Sequence, residues 1–393
     1  MHGACLGLGL TAFASGHEVA AERMKDIVRS STSVMGEASA LALGLIYAGT
    51  NNEAILSELI GMAAESEHEK VIRSISLSMG LICYGSPSWE WAQSLEENPA
   101  MKLGVPFYLA CAYFKTSNPK VVRKLLKLSN DISNEVKRAA IIALGFVLYQ
   151  DEKLTAVIKM LLYSYNPFIR YACIMALAVG SRPTKEVLEL IWPSLTDSVD
   201  YVRQGAYIAL ALLLQVSTNQ SEPKLADLRN SIKEVLSKPH GDQMTKLGAI
   251  MAIGLLDIGG RNMSVSLTTR SGMPKLEAIT GMLIFTQYWN WFPYINFIGL
   301  AVAPSMFIGV TAKLNIPTSF SLHSNCKPAL FDYPPNIPKE EKKNNDKKEA
   351  ARELSTTNKV KARLAKKKDS EIEIEVPQKA ARTKSLLSNK DPN

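Results

Sequence analysis

A chain of 393 residues with 47% hydrophobic side chains can bury a sizeable core, which excludes a globally disordered protein. Charged residues are 21% and aromatics only 7%, so the apolar content is mostly small and aliphatic, a composition for closely packed helices. The formal net charge of +8 does not mark a nucleic-acid face, because Lys339 to Asn393 holds 16 Lys and Arg against 10 Asp and Glu and so accounts for +6 of it.

The first residues, MHGACLGLGLTAFASG, are apolar but have no Lys or Arg ahead of the apolar run, so they read as part of the folded protein and not as a secretory signal. They already belong to a repeat. A run of the form small, three residues, small, large, Gly or Ala, large recurs eight times, with the Gly or Ala at Gly9, Gly44, Gly80, Ala112, Gly145, Ala178, Ala211 and Gly254. Two residues before this column stand Gly7, Ala42, Ser78, Ala110, Ala143, Ala176, Ala209 and Ala252, all small. Six before it stand Gly3, Ala38, Ser74, Pro106, Ala139, Ala172, Gly205 and Gly248, where Pro106 is the one departure.

Positions four apart share a helix face, so the pattern predicts a flat strip along which a neighbouring helix approaches closely. Glycine in a helix costs about 1 kcal/mol against alanine, and its recurrence calls for a packing reason. Between the columns lie second helical patterns such as 53–63 and 185–192, separated by breakers at Gly49-Thr50-Asn51, Gly85-Ser86-Pro87 and Arg182-Pro183. Each repeat is therefore read as a helix pair, and the array as a helical solenoid over residues 1–260. The longer last interval contains Val216 to Pro239, a polar stretch expected to be a surface insertion with its own short helix. Because Gly3 already occupies the first small position, the array is expected to continue upstream of Met1 in a longer protein, leaving an apolar edge at this end.

Residues 261–338 are expected to form a C-terminal closing domain, partly β. Within it, 35 uncharged residues lie between Glu277 and Lys313, enough to permit a membrane span. Pro293, Pro304, Asn290 and Asn296 interrupt the run, and its aromatics cluster at the centre where a span would carry them as two flanking belts, which favours short strands and turns buried against the solenoid. Residues 339–393 contain no Phe, Tyr or Trp and alternate basic and acidic runs, so they are expected to be a disordered tail. Lys366-Lys367-Lys368 is read as a solvated charge run, with nuclear import as the alternative.

No chemistry is legible. The pairs His17-Glu18 and His68-Glu69 are followed by Ala21 and Ile72 where a zinc-binding motif needs its second histidine. Gly254 to Arg261 has glycines near phosphate-loop spacing but Gly260-Arg261 where Lys and Ser or Thr must stand. The five cysteines are scattered without a C-x-x-C pair, which fits a reduced cytoplasmic or nuclear protein. The expectation is a protein with no catalytic, cofactor-binding or metal site, hence not an enzyme.

The stretches 2–10 (HGACLGLGL), 36–50 (GEASALALGLIYAGT), 166–180 (NPFIRYACIMALAVG), 200–214 (DYVRQGAYIALALLL), 285–293 (FTQYWNWFP) and 324–328 (SNCKP) resemble the family of the largest non-ATPase subunit of the 26S proteasome regulatory particle. The likeness runs to about Pro338, with the tail similar in composition only. It implies a mainly α, toroidal solenoid of proteasome/cyclosome helix-pair repeats with a small β-rich closing domain. It also implies a non-catalytic scaffold in cytoplasm and nucleus, partnered by the ATPase ring, lid subunits and ubiquitin receptors, with no nucleic acid, membrane or small-molecule substrate. The helical rod that precedes the family's repeats has no counterpart here, and the acidic, aromatic peptide with which the family docks a ubiquitin receptor has none in SLLSNKDPN (385–393). The alternative reading is a membrane-associated helical protein spanning through residues 278–312.

Overall fold

The computed structural model describes residues 1–305, apart from Ser31, Gln220 and Arg270, together with Ala312 and Lys313. Of the two units into which the chain divides, Met1–Phe331 contains all the described residues, and the tail expected from 339 lies outside them.

Fifteen helices make up the repeat array: α1 (His2–Thr11), α2 (Glu18–Ser30), α3 (Ser33–Ile46), α4 (Glu53–Glu65), α5 (Glu69–Ile82), α6 (Trp89–Glu97), α7 (Gly104–Ala112), α8 (Pro119–Leu128), α9 (Asn134–Val147), α10 (Glu152–Leu161), α11 (Pro167–Gly180), α12 (Lys185–Ile191), α13 (Asp200–Leu214), α14 (Lys224–Ser237) and α15 (Gln243–Leu256). Every residue of the Gly/Ala column falls on an odd-numbered helix. These column helices stack on one another in sequence order, while α2 and the even-numbered helices after it pack alongside as partners. Column helices are consequently buried on nearly all sides: Tyr171 through Gly180 of α11 are buried without exception.

Helix starts follow from local chemistry. Asn118 and Asn166 accept hydrogen bonds from the backbone amides of Lys120 and Phe168, and the intervening Pro119 and Pro167 lack a donor where none is needed. Pro106, the departure in the small column, lies in the first turn of α7, where its missing N–H has no intrahelical acceptor to serve. The stretch 216–239 carries its own helix as expected, and α14 packs as the partner helix of its repeat, burying Leu225, Leu228 and Ile232.

The strip has a direction. A Cβ added at column residues Gly9, Gly44 and Gly145 would lie 2.8, 2.6 and 2.6 Å from atoms of Ala42, Ser78 and Ala176, each the −2 residue of the next column helix. The −6 and −2 positions face backward: a Cβ on Gly248 would lie 2.7 Å from Gln204 Cα, and the Ser74 and Ser78 hydroxyls donate to the Glu37 and Ala40 carbonyls of the preceding helix, both at 2.7 Å. At the two ends of the array the same positions are open, and a Cβ at Gly3, Gly7 or Gly254 would meet nothing within 4 Å.

A second set of contacts runs between the turns that follow α1, α3, α5, α7 and α9 and the end of the next column helix. Ala14 and Gly16 donate their amides to Leu45 and Ile46 carbonyls, Gly49 and Asn51 to Leu81 and Ile82, and Lys115 and Ser117 to Phe146 and Val147, at 2.9 to 3.1 Å. Each turn thereby adds donors for carbonyls of the last helical turn, which lack the regular i+4 amide. The geometry needs alternate residues at positive φ, which explains Gly49 (φ 71°) followed by Asn51 (φ 51°).

After the array, the antiparallel strands β1 (Met263–Val265) and β2 (Val302–Pro304) pair Met263 with Pro304. The uncharged run departs from expectation in its first part, which forms the helix α16 (Leu276–Tyr288) and a 3-10 segment, Tyr294–Ala301, before the short strand β2 closes its described portion. Helix and 3-10 segment pack closely at Gly281, where a Cβ would collide with the Phe297 carbonyl. Among the described residues no helix is long and apolar enough to cross a membrane.

The directional strip predicts opposite outcomes for one chemical change at two column positions. Gly145→Ala should destabilise by about 1 to 3 kcal/mol through overpacking against Ala176. Gly254→Ala, in open space, should be neutral or stabilise by up to about 1 kcal/mol through helix propensity. Urea unfolding of the two variants checks this, and equal shifts would refute it.

Candidate functional site

The face of the column layer that meets α16 is the most elaborated polar and aromatic region in the described structure. It draws on the position seven residues before the column residue, which carries His2, Glu37, Arg73, Val105, Arg138, Tyr171, Gln204 and Leu247 along the array. Tyr171 receives a hydrogen bond from Trp289 Nε1 at 2.9 Å, with both side chains buried. Next to it, Phe107 stacks on Tyr288 with ring centroids 6.2 Å apart, and Tyr294 meets the edge of His2 at 5.9 Å. Residues flanking α16 reach further repeats: Lys115 Nζ donates to the Gly272 carbonyl at 3.2 Å, and the Val265 amide donates to Gln215 Oε1 at 2.7 Å. The FTQYWNWFP stretch thus forms the end of α16 and the turn beyond it, anchored to α7 and α11.

Beneath Tyr288 and Tyr294 lies a cavity of about 150 Å³, lined also by Glu37, Lys70, Arg73, Glu135 and Arg138. Arg73 bridges Glu69 at 2.6 Å and Glu135 at 2.8 Å, while Arg138 Nε is buried without a hydrogen-bond partner. Burial holds the Glu37 carboxyl above its ordinary value, opposed by the charge of Lys70. Burial likewise pushes the Tyr288 hydroxyl up to about 12 and raises those of Tyr171 and Tyr294. All of these tyrosines are therefore neutral hydrogen-bonding groups, not bases.

Among the described residues, the cysteines and the His-Glu pairs singled out in the sequence lie away from this face. Burial pushes the Cys83 thiol up to about 12 and raises Cys111 and Cys173, the opposite of an activated nucleophile. His17 Nδ1 accepts from the Ala20 amide at the start of α2, and His68 occupies the residue before α5. Gly259 and Gly260 form a tight turn at φ 56° and 65° after α15. Among the described residues no three His, Cys, Asp or Glu side chains gather as metal ligands. His323, Cys326 and the 324–328 motif lie outside the described residues.

Comparison with known proteins reads the same architecture. The proteasome/cyclosome repeat model matches residues 38–72, one interval from α3 into α5, and a HEAT-repeat model matches 122–211. The model of the 26S proteasome regulatory subunit RPN2 C-terminal domain matches 305–392. The 26S proteasome non-ATPase regulatory subunit 1 homolog A of Arabidopsis thaliana is 38% identical over 343 residues, 85% of this chain and 34% of that protein. The chain belongs to the 26S proteasome non-ATPase regulatory subunit 1 family. The regulatory subunit rpn2 of Schizosaccharomyces pombe is 38% identical over 370 residues (92% of this chain, 38% of that protein), and non-ATPase regulatory subunit 1 of Drosophila melanogaster is 35% identical over 386 (95% and 38%). The chain thus spans little more than a third of the length of these relatives. The match to 305–392 also carries the family likeness past Pro338 into the charged tail, beyond the composition alone.

Two outcomes test this face. Tyr171→Phe removes the acceptor for a buried indole N–H and should cost about 1 to 3 kcal/mol, with part of the loss recovered in the double variant with Trp289→Phe. Glu37 has a raised value in the fold, so its contribution is most favourable below the ordinary value of 4.5 and is lost as pH rises through the folded one. Glu37→Gln should therefore raise the unfolding midpoint at neutral pH and leave it unchanged under acid conditions. Thermal melts across that range check the sign.

Proposed function

We propose that this chain is a non-catalytic scaffold portion of the 26S proteasome regulatory particle, organising ATPase-ring, lid and ubiquitin-handling subunits for ubiquitin-dependent degradation in cytoplasm and nucleus. The observation that carries this reading is the pairing of family membership with an interior devoted to stacking. Column helices are locked to their neighbours by small-residue contacts and by turn-to-carbonyl hydrogen bonds, and the buried polar groups serve packing against α16. A stack held this way transmits position from one repeat to the next with little bending, which suits holding several subunits in register. Raised, buried thiols and scattered histidines support regulatory over catalytic work. The membrane-associated alternative has no observation in its favour, since residues 278–301 are divided between α16 and the 3-10 segment and pack on the repeats.

Affinity purification of the tagged chain from its source cells tests the proposal. ATPase-ring and lid subunits should co-purify and co-sediment with peptidase activity, and a chain recovered free of all proteasome subunits would overturn it. Gly145→Leu, which blocks the α9 to α11 contact, should reduce that recovery together with the melting temperature.

A further inference from the structure

Two consecutive loops on one edge of the array carry large apolar side chains in full contact with solvent. They connect α8 to α9 (129–133) and α10 to α11 (162–166), and they lie side by side, since Asn166 Nδ2 donates to Asn134 Oδ1 at 3.1 Å. Ile132 is 100% exposed, Tyr165 99%, Tyr163 78%, and Met160, in the last turn of α10, 75%. The equivalent loops at 66–68, 197–199 and 238–242 present no exposed large apolar side chain, so this is not a general property of the repeat.

The backbone beneath these side chains is held in place. Arg170 on α11 donates to the Ser164 and Tyr165 carbonyls at 3.0 and 2.9 Å, and is itself fixed by two hydrogen bonds to Asp197 at 2.8 and 2.9 Å. The tyrosines are thus projected from a braced loop, a geometry that lowers the ordering cost of binding. Contiguous exposed apolar groups of this kind mark interaction surfaces, and tyrosine is prominent among residues that dominate binding energy.

The charge around them specifies the partner. Helices α8 and α10 carry six lysines and arginines against the single Glu152. The carboxylates near the edge are already engaged, Asp131 with Lys102 at 2.5 Å, Glu135 with Arg73 at 2.8 Å and Asp197 with Arg170. Lys127 and Lys159, at the C-terminal ends of α8 and α10, form no ion pair among the described residues. Complementarity to such a surface calls for carboxylates flanking large apolar side chains. Ile132 and Met160 offer no ring for a base to stack on, which disfavours nucleic acid.

We propose that the edge formed by Ile132, Met160, Tyr163 and Tyr165, with Lys127 and Lys159 beside it, docks an acidic peptide segment of a partner protein bearing large apolar side chains between its carboxylates. The test is a displayed library of random 12-residue peptides selected on the full 393-residue chain and counter-selected on the Ile132→Ser/Tyr163→Ser/Tyr165→Ser variant. Enriched peptides should be acidic with at least two large apolar residues. A labelled enriched peptide should bind about tenfold or more weakly to Lys127→Glu/Lys159→Glu, and more weakly still as salt is raised. Because the substituted side chains are exposed, circular dichroism melts of both variants should match the parent. Failure to enrich, or enrichment of neutral or basic peptides, overturns the proposal. So does preferential binding of single-stranded RNA or anionic vesicles that the triple variant abolishes. The selection uses the isolated chain, so its outcome is separate from whether the chain enters a proteasome.

Discussion

The closeness with which one column helix lies on the next is the constraint from which the remaining architecture follows. Where Gly44 meets Ser78 and Gly145 meets Ala176, there is no room for a Cβ, so the helix backbones themselves are in contact. At that separation the serine hydroxyls of α5 reach the carbonyls of α3, and the hydrogen bond of Ser78 to Ala40 is made in a fully buried setting. A larger residue at any of these points would push the helices apart and remove hydrogen bonds and dispersion contacts together. The glycines, unfavourable for an isolated helix, are repaid by these contacts.

Close stacking in turn fixes the turns. The amides of Gly49 and Asn51 reach Leu81 and Ile82 because α3 and α5 are near and in register, and the hydrogen bonds lock that register. Left-handed residues recur at the same place in successive repeats, at Ala14 and Gly16, at Gly49 and Asn51, and at Lys115 and Ser117. Each costs conformational energy that a helix end short of donors offsets. The two sets of contacts are coupled, since a slip in one breaks the other, and such coupling makes a stack of short helices behave as one body.

A layer so constructed has a polar problem on the face covered by α16. Arg73, Arg138, Glu37 and Glu135 are partly removed from water there: Arg73 pairs with Glu135, Glu37 is shifted toward its neutral form, and Arg138 lines the small cavity with its Nε lacking a hydrogen-bond partner. The aromatic end of α16 supplies the remaining contacts through Trp289, Tyr288 and Tyr294. The chemistry of the region is that of docking one segment on several repeats, in keeping with a family of regulatory subunits. The tyrosines of the 162–166 loop belong to the opposite situation, side chains that face solvent among the described residues.

Much of this was legible in the residues. Small side chains at −6, −2 and 0 define a helix face by local geometry alone, and all eight columns fall on helices. The breakers at 49–51 and 85–87 end column helices for the same reason, since backbone preferences are local. The residues did not say which neighbour each small position faces, because periodicity defines a face and not its partner; only the stack shows that −2 looks backward and 0 looks forward. The −7 position, with Glu37, Arg73, Arg138 and Tyr171, was present in the same alignment but chemically mixed, and its common role depends on α16 passing over it. The uncharged run after Glu277 read as strands and turns because a segment buried on every side has no polar face, and without one neither the helical nor the strand period is visible. Tertiary structure alone decided that Ala278 through Gln287 form a helix, since the hydrophobic pattern of α16 answers to neighbours on all sides and not to a boundary with water.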